Sequence, residues 1–149
     1  MAELFEQKIH ALRKRYQTIM FGLLTLSAGV LLLHFLFPGL PNFTQKAALI
    51  SKSVLIILFL SIIPLMLSHF KRKLYEIPRD REPLLKITAY QRQFYIKTAV
   101  IVALCLLTLL VFALSGDPMI LVLLLAGVLF LFFERPSRLK IYTDLDIDD

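Results

Sequence analysis

The chain has 149 residues, of which 58% are hydrophobic, and its mean hydropathy is +0.73. This composition excludes an ordinary water-soluble domain and is typical of an integral membrane protein. The formal net charge is +6. Membrane topology accounts for most of that charge, as its position along the chain indicates, so it predicts no nucleic-acid partner.

Residues 1–15 have the pattern of an amphipathic helix. Phe5, Ile9, Leu12 and then Tyr16 follow one another at helical spacing. Acidic residues come first in this segment and basic residues last, which suits the dipole of a helix. The pattern predicts a cytoplasmic helix that either lies on the inner membrane face or simply extends the first span.

Four apolar stretches are candidates for membrane spans, namely residues 16–37, 47–68, 94–114 and 119–133. A hydrocarbon core of ~30 Å requires roughly 20 apolar residues, with about 17 as the usual lower end. The fourth stretch is short, but local thinning of the bilayer or snorkelling by Arg135 compensates for the mismatch. The sequence therefore predicts an all-α integral membrane protein, with two transmembrane hairpins over residues 16–68 and 93–134.

Basic residues are concentrated on one predicted side of the membrane. Four precede the first span, seven lie in the connector of residues 69–92 and three follow the fourth span, whereas two lie on the other side. This asymmetry predicts a multi-pass protein of a bacterial inner membrane with both termini cytoplasmic, its basic face attracting anionic lipid headgroups. The basic residues expected to dock headgroups or a partner are Lys71, Arg72, Lys73, Arg79 and Arg81.

The first span carries small residues on one face, at Gly22, Thr25 and Gly29. Small side chains allow another helix to approach closely, so this stripe predicts a helix-packing seam. At the start of the fourth span, Asp117 suits the position that caps a helix and Pro118 suits the first helical position.

Ionisable residues within membrane spans are candidates for function. One hypothesis groups His34, Lys52 and Asp117 near the outer surface, with Asp117 paired to Lys52 and His34 titrating near neutral pH. The alternative is that Lys52 snorkels to the outer interface and His34 rests near that interface without a function. We expect Lys97 to snorkel in the same way toward the inner interface.

The cytoplasmic tail, residues 135–149, alternates apolar and polar side chains from residue 138 onward. This alternation predicts a β-strand that pairs with connector residues 72–77 or with a sheet of another protein, and a solvated acidic tail is the alternative. The apolar residues expected to dock are Leu139, Ile141, Leu145 and Ile147. Its aspartates lack the glycine and the closing glutamate of a calcium loop, so no metal site is predicted.

The sequence lacks the combinations of residues that form catalytic or cofactor-binding sites. Cys105 is the single cysteine, and there is no phosphate-binding glycine loop, no paired histidines and no Ser/His/Asp set in the polar segments. We therefore expect no enzyme activity and no cofactor. The sequence favours a small non-catalytic membrane subunit that assembles, stabilises or anchors a larger complex. The alternatives are a homo-oligomeric channel, carrier or phage-type permeabiliser, and a hairpin scaffold that shapes anionic membrane.

Overall fold

The computed structural model describes residues 2–37, 44–78 and 82–145. These residues form five α-helices and no strand: α1 (Ala2–Leu36), α2 (Gln45–Tyr75), α3 (Pro83–Ser115), α4 (Pro118–Phe133) and α5 (Arg138–Leu145). The prediction of an all-α fold is therefore confirmed for the described part of the chain.

Several helices are long and apolar enough to cross a membrane. By length and composition, α1, α2 and α3 each qualify alone, whereas α4 qualifies only together with α5, which is bent from it by 74°. The structure thus supports three or four membrane-crossing helices. Large apolar side chains on the outer surface of the bundle suit contact with lipid; Phe21, Leu60 and Phe133 are 74%, 71% and 76% exposed.

The long helices extend beyond their apolar stretches at one end of the bundle. At about 1.5 Å per residue, the 35 residues of α1 measure ~52 Å, which exceeds a hydrocarbon core of ~30 Å. The predicted amphipathic segment is therefore the beginning of α1 and not a separate helix. We call this end, formed by the start of α1, the last turns of α2, the start of α3 and α5, the basic end.

Helix α3 is the centre of the bundle, since α1, α2 and α4 each pack mainly against it. At the basic end its side chains Ile87, Tyr90 and Phe94 are fully buried among apolar residues of α1, α2 and α5. Nearer the opposite end, Cys105 and Phe112 are buried against α4 and its neighbours. One helix thus supplies the core along the whole length of the bundle.

The turn between α3 and α4 forms as its residues predict. Gly116 ends α3 with a φ of 64°, a left-handed conformation that glycine adopts without a steric penalty. The Asp117 carboxylate caps α4 by accepting a hydrogen bond of 2.9 Å from the Met119 amide, and Pro118 occupies the first helical position.

The predicted β-strand in the tail is wrong for the residues that the structure describes. Residues 138–145 form α5, and connector residues 72–75 belong to α2, so no strand pairing joins them. Ile141 and Leu145, four residues apart, are buried in the core of the basic end, whereas Leu139 is 77% exposed. A lone strand would leave its backbone groups unpaired, while a helix pairs its own and still buries this apolar stripe. Ile147 lies outside the described residues.

Replacing Ile141 by Ala tests the helical assignment. Because Ile141 is fully buried, the variant should lose about 2–5 kcal/mol of unfolding free energy in detergent micelles. Leu139→Ala is the control, since it removes a similar volume from an exposed position and should change little. Similar losses in both variants would contradict the helix, because a strand would place the two side chains on the same face.

Candidate functional site

The buried charge of Lys97 is the main polar feature of the basic end. The side chain of Lys97 is 2% exposed, and its Nζ lies 2.6 Å from Oε2 of Glu134. The ammonium also lies 4.0 Å from the centroid of the Phe70 ring, a cation–π geometry. The prediction that Lys97 snorkels to the interface is therefore wrong. A carboxylate and an aromatic ring within reach replace the water that snorkelling would provide.

Glu134 connects three helices through its carboxylate. It follows the last residue of α4, pairs with Lys97 of α3 and also accepts a hydrogen bond of 3.0 Å from Nζ of Lys140 in α5. Burial would raise the pKa of this carboxyl, but hydrogen bonds and charges from Lys97 and Lys140 outweigh it and hold the pKa below its ordinary value. The ion pairs therefore stabilise the fold fully above about pH 4.3, the ordinary Glu value. That contribution is lost as the pH falls through the lower folded-state pKa.

Two buried tyrosines fasten the neighbouring helices. Tyr90 donates a hydrogen bond of 3.3 Å from its hydroxyl to Oδ2 of Asp144 in α5. The Tyr16 hydroxyl of α1 donates to the Leu131 carbonyl of α4. Burial raises the pKa of Asp144 against the opposing effects of Lys140 and the Tyr90 hydrogen bond. We call Lys97, Glu134, Lys140, Tyr90 and Asp144 the buried network.

The buried network joins side chains of α3, α5 and the end of α4 through ion pairs and a hydrogen bond. Its two lysines are paired with Glu134, and its tyrosine donates to Asp144. Across residues 2–37, 44–78 and 82–145, no group of three or more His, Cys, Asp or Glu side chains has the arrangement of a metal site. The contacts of the network connect α4 and α5 to α3.

At the opposite end of the bundle, the structure brings together two of the three residues of the predicted outer cluster. Nζ of Lys52 lies 3.5 Å from Oδ2 of Asp117, with both side chains about one quarter exposed. His34 packs instead against the Phe112 ring, with 5.0 Å between ring centroids, and its buried Nδ1 has no hydrogen-bond partner among the described residues. A function for this cluster stays a prediction.

The small-residue stripe of α1 is open within the chain. Gly22, Thr25 and Gly29 are exposed, and a Cβ built on either glycine would meet no described atom within 4 Å beyond the adjacent backbone of α1 itself. The close helix packing occurs instead at Gly127 of α4, where an added Cβ would lie 2.7 Å from Sγ of Cys105 and 3.2 Å from Cε1 of Phe59. Sequence reasoning did not single out Gly127, because a glycine alone does not indicate which face of a helix is covered.

The docking residues predicted in the connector and the tail have separate environments. Arg72 and Lys73 lie on the surface of α2 and pair with Glu76, at 3.6 Å and 2.6 Å. Lys71 is exposed and lines a cavity described below. Leu139 is exposed, but Ile141 and Leu145 are core residues that hold α5 on the bundle and do not face a partner. Arg79 and Arg81 lie outside the described residues.

Comparisons of the chain with known protein families, with characterised proteins and with solved structures found no match. The assignment of a function therefore depends on the geometry of the bundle.

A double-mutant cycle on Lys97 and Glu134 tests the buried network. Removing either charge alone leaves the other buried without its partner, so Lys97→Met and Glu134→Gln should each lose about 3–5 kcal/mol of unfolding free energy. The double variant should lose clearly less than the sum of the two. Reversible unfolding by SDS in mixed micelles, followed by circular dichroism, measures all four proteins.

Lys73→Met is the matched control for that cycle. It removes the same charge from an exposed ion pair, which is worth less than about 1 kcal/mol. Additive losses in the cycle, or a Lys97→Met loss no larger than that of the control, would show that the pair is not buried as described.

Proposed function

We propose that the chain crosses a bacterial inner membrane four times, with both termini and the basic connector in the cytoplasm. The charge asymmetry of the sequence supports this orientation, because Lys and Arg accumulate at the basic end. The fourth crossing is α4, whose 16 residues measure ~24 Å and require a locally thin bilayer. In this arrangement α5 lies at the cytoplasmic face, bent away from α4 by 74°.

We infer that the protein is a small, non-catalytic membrane subunit that assembles, stabilises or anchors a larger membrane complex. The observation that carries this proposal is the open small-residue stripe of α1, at Gly22, Thr25 and Gly29. Lipid chains make few contacts with a glycine surface, whereas a second helix can approach it closely and form extensive van der Waals contacts. The partner on this face is therefore a transmembrane helix.

The pairing of charged side chains within the bundle supports a role other than the transport of ions or solutes. Lys97 pairs with Glu134 and Lys52 pairs with Asp117, so these ammonium groups are already satisfied by carboxylates of the same chain. An aqueous path through a membrane needs polar side chains or backbone groups that face it. The interior between α3 and α4 is instead filled by apolar side chains such as Leu109 and Leu124.

A second candidate follows from the same open stripe, because it is equally available to another copy of this chain. In that case the protein is a homo-oligomeric channel, carrier or permeabiliser, whose pore would form between protomers. Identifying the proteins that co-purify with the chain from the membrane distinguishes association with a different protein from self-association.

The test is extraction of the tagged protein from its native membrane in a mild detergent, followed by mass spectrometry. We expect a second membrane protein to co-purify with the unmodified chain and to be lost from the variant Gly22→Ile/Gly29→Ile. The added side chains enter open space, so the unfolding midpoint of that variant should stay unchanged. Recovery as a free monomer would contradict the proposal, and recovery as a homo-oligomer that conducts ions in liposomes would favour the second candidate.

Two variants serve as controls. Ala28→Ile adds similar bulk to an exposed position of α1 outside the stripe, so it should keep the partner. Gly127→Ile adds bulk where Cys105 and Phe59 are already in contact, so it should lower the unfolding midpoint. Loss of the partner in Ala28→Ile as well would show that the stripe is not the contact.

A further inference from the structure

The basic end contains a cavity of about 390 Å³ between α2, α3 and α5. Its walls include Lys71 and Tyr75 of α2, Lys86 of α3, and Thr143 and Leu145 of α5. The volume is within the range of pockets that hold small ligands. The cavity is distinct from the open stripe of α1 and does not depend on the docking of a partner helix.

Lys86 is a buried cation in the wall of this cavity. It is 6% exposed, and within the described part of the chain its ammonium has one hydrogen bond, a long one of 3.5 Å to the Leu145 carbonyl. Among the residues that the structure describes, no carboxylate lies within ion-pair distance of it. Lys97 provides the contrast in the same bundle, because it is also buried, at 1% exposure, and has a carboxylate at 2.6 Å. A buried ammonium without an anion is costly, so the cavity at Lys86 favours an anionic occupant.

The other polar groups of the cavity agree with that preference. Lys71 adds a second, exposed ammonium, and the exposed Tyr75 adds a phenol hydroxyl. One acidic residue, Asp144, also lines the cavity, but its carboxylate accepts the Tyr90 hydrogen bond, and burial raises its pKa. Among the described residues, the walls of the cavity therefore contain two lysines and one carboxylate, and that carboxylate is already hydrogen-bonded to Tyr90.

We propose that this cavity binds the phosphate group of an anionic ligand through Lys86 and Lys71. Lysine ammonium groups bind phosphate as point charges, and two of them match the charge of one phosphate group. The ligand is a phospholipid headgroup or a soluble phosphate compound. Lys71 lies three residues beyond the apolar stretch that ends at Ser68, about 4–5 Å along the helix, which is the depth of lipid headgroups.

Binding of two probes to the full-length protein in a neutral detergent tests the proposal and separates the two sources. The probes are inorganic phosphate and dioctanoyl phosphatidic acid, each titrated at constant ionic strength with dioctanoyl phosphatidylcholine as the uncharged lipid control. Isothermal calorimetry should show saturable binding of at least one anionic probe. Binding of phosphatidic acid alone indicates a lipid headgroup, and binding of both indicates a site for phosphate itself.

Three single-residue variants test whether the ligand binds in this cavity. Lys86→Met should weaken binding at least tenfold, and it should raise the unfolding midpoint of the ligand-free protein because it removes an uncompensated buried charge. Lys71→Met, at an exposed position that leaves the fold intact, should weaken binding severalfold. Lys14→Met removes one charge from an exposed position of α1 outside the cavity and should leave binding unchanged.

Absence of saturable binding to the unmodified protein would overturn the proposal. So would binding that survives in Lys71→Met and Lys86→Met, or that falls equally in Lys14→Met. If binding appears only after Asp146, Asp148 and Asp149 are replaced by Asn, the occupant of the cavity is the acidic tail of the chain itself. That result would also overturn the proposal.

Discussion

The arrangement of the basic end depends on one constraint, the burial of the Lys97 ammonium. Burial of a lysine ammonium against the other helices is costly unless a carboxylate or another anion balances its charge. Glu134, at the end of α4, supplies that carboxylate. The carboxylate also accepts a hydrogen bond from Lys140, which links α5 to the same site. The chain bends by 74° between α4 and α5, with Pro136 buried near the bend, and Ile141 and Leu145 complete the core. Satisfying one charge thus positions the last two helices.

The two buried lysines of the basic end have different consequences. Lys97 is enclosed by a carboxylate and the Phe70 ring, so its charge contributes to the packing of the helices. Lys86 lines a cavity, and among the described residues the Leu145 carbonyl is the one group at hydrogen-bond distance from its ammonium, so we propose that its charge binds a ligand. A buried lysine therefore stabilises helix packing at one position and forms part of a candidate binding site at another. The distance to the nearest carboxylate distinguishes the two positions.

The sequence predicts those features that depend on neighbouring residues. Long apolar stretches predict the helices, and Asp117 with Pro118 predicts the start of α4, because capping is a local interaction. The pairing of Lys52 with Asp117 is part of one of two hypotheses, because both residues are assigned to the same predicted membrane surface, where Lys52 could also snorkel. The tail was ambiguous: residues 138–145 alternate as a strand does, yet Ile141 and Leu145 are also spaced as on a helix. Burial against α3, which no local pattern encodes, favours the helix.

Features that depend on distant contacts were beyond sequence reasoning. The position of Lys97 within its span indicated its depth, but its partner Glu134 lies 37 residues away, in another helix. Similarly, small residues indicate where helices can approach and not which approach occurs. Gly22 and Gly29 are open, whereas Gly127 is in tight contact with two helices. The cavity at Lys86 also required the structure, because its walls come from three separate helices.

The central claim is that α5 and the end of α2 lie together on the cytoplasmic side of the membrane. Labelling of variants that carry one added cysteine with a membrane-impermeant maleimide tests it most directly, since the native Cys105 is buried and should not react. In intact bacterial cells Thr44→Cys should be labelled, whereas Tyr75→Cys and Leu139→Cys should react only after the membrane is permeabilised. Labelling of Tyr75→Cys and Leu139→Cys from opposite sides, or of both from outside, would contradict the account.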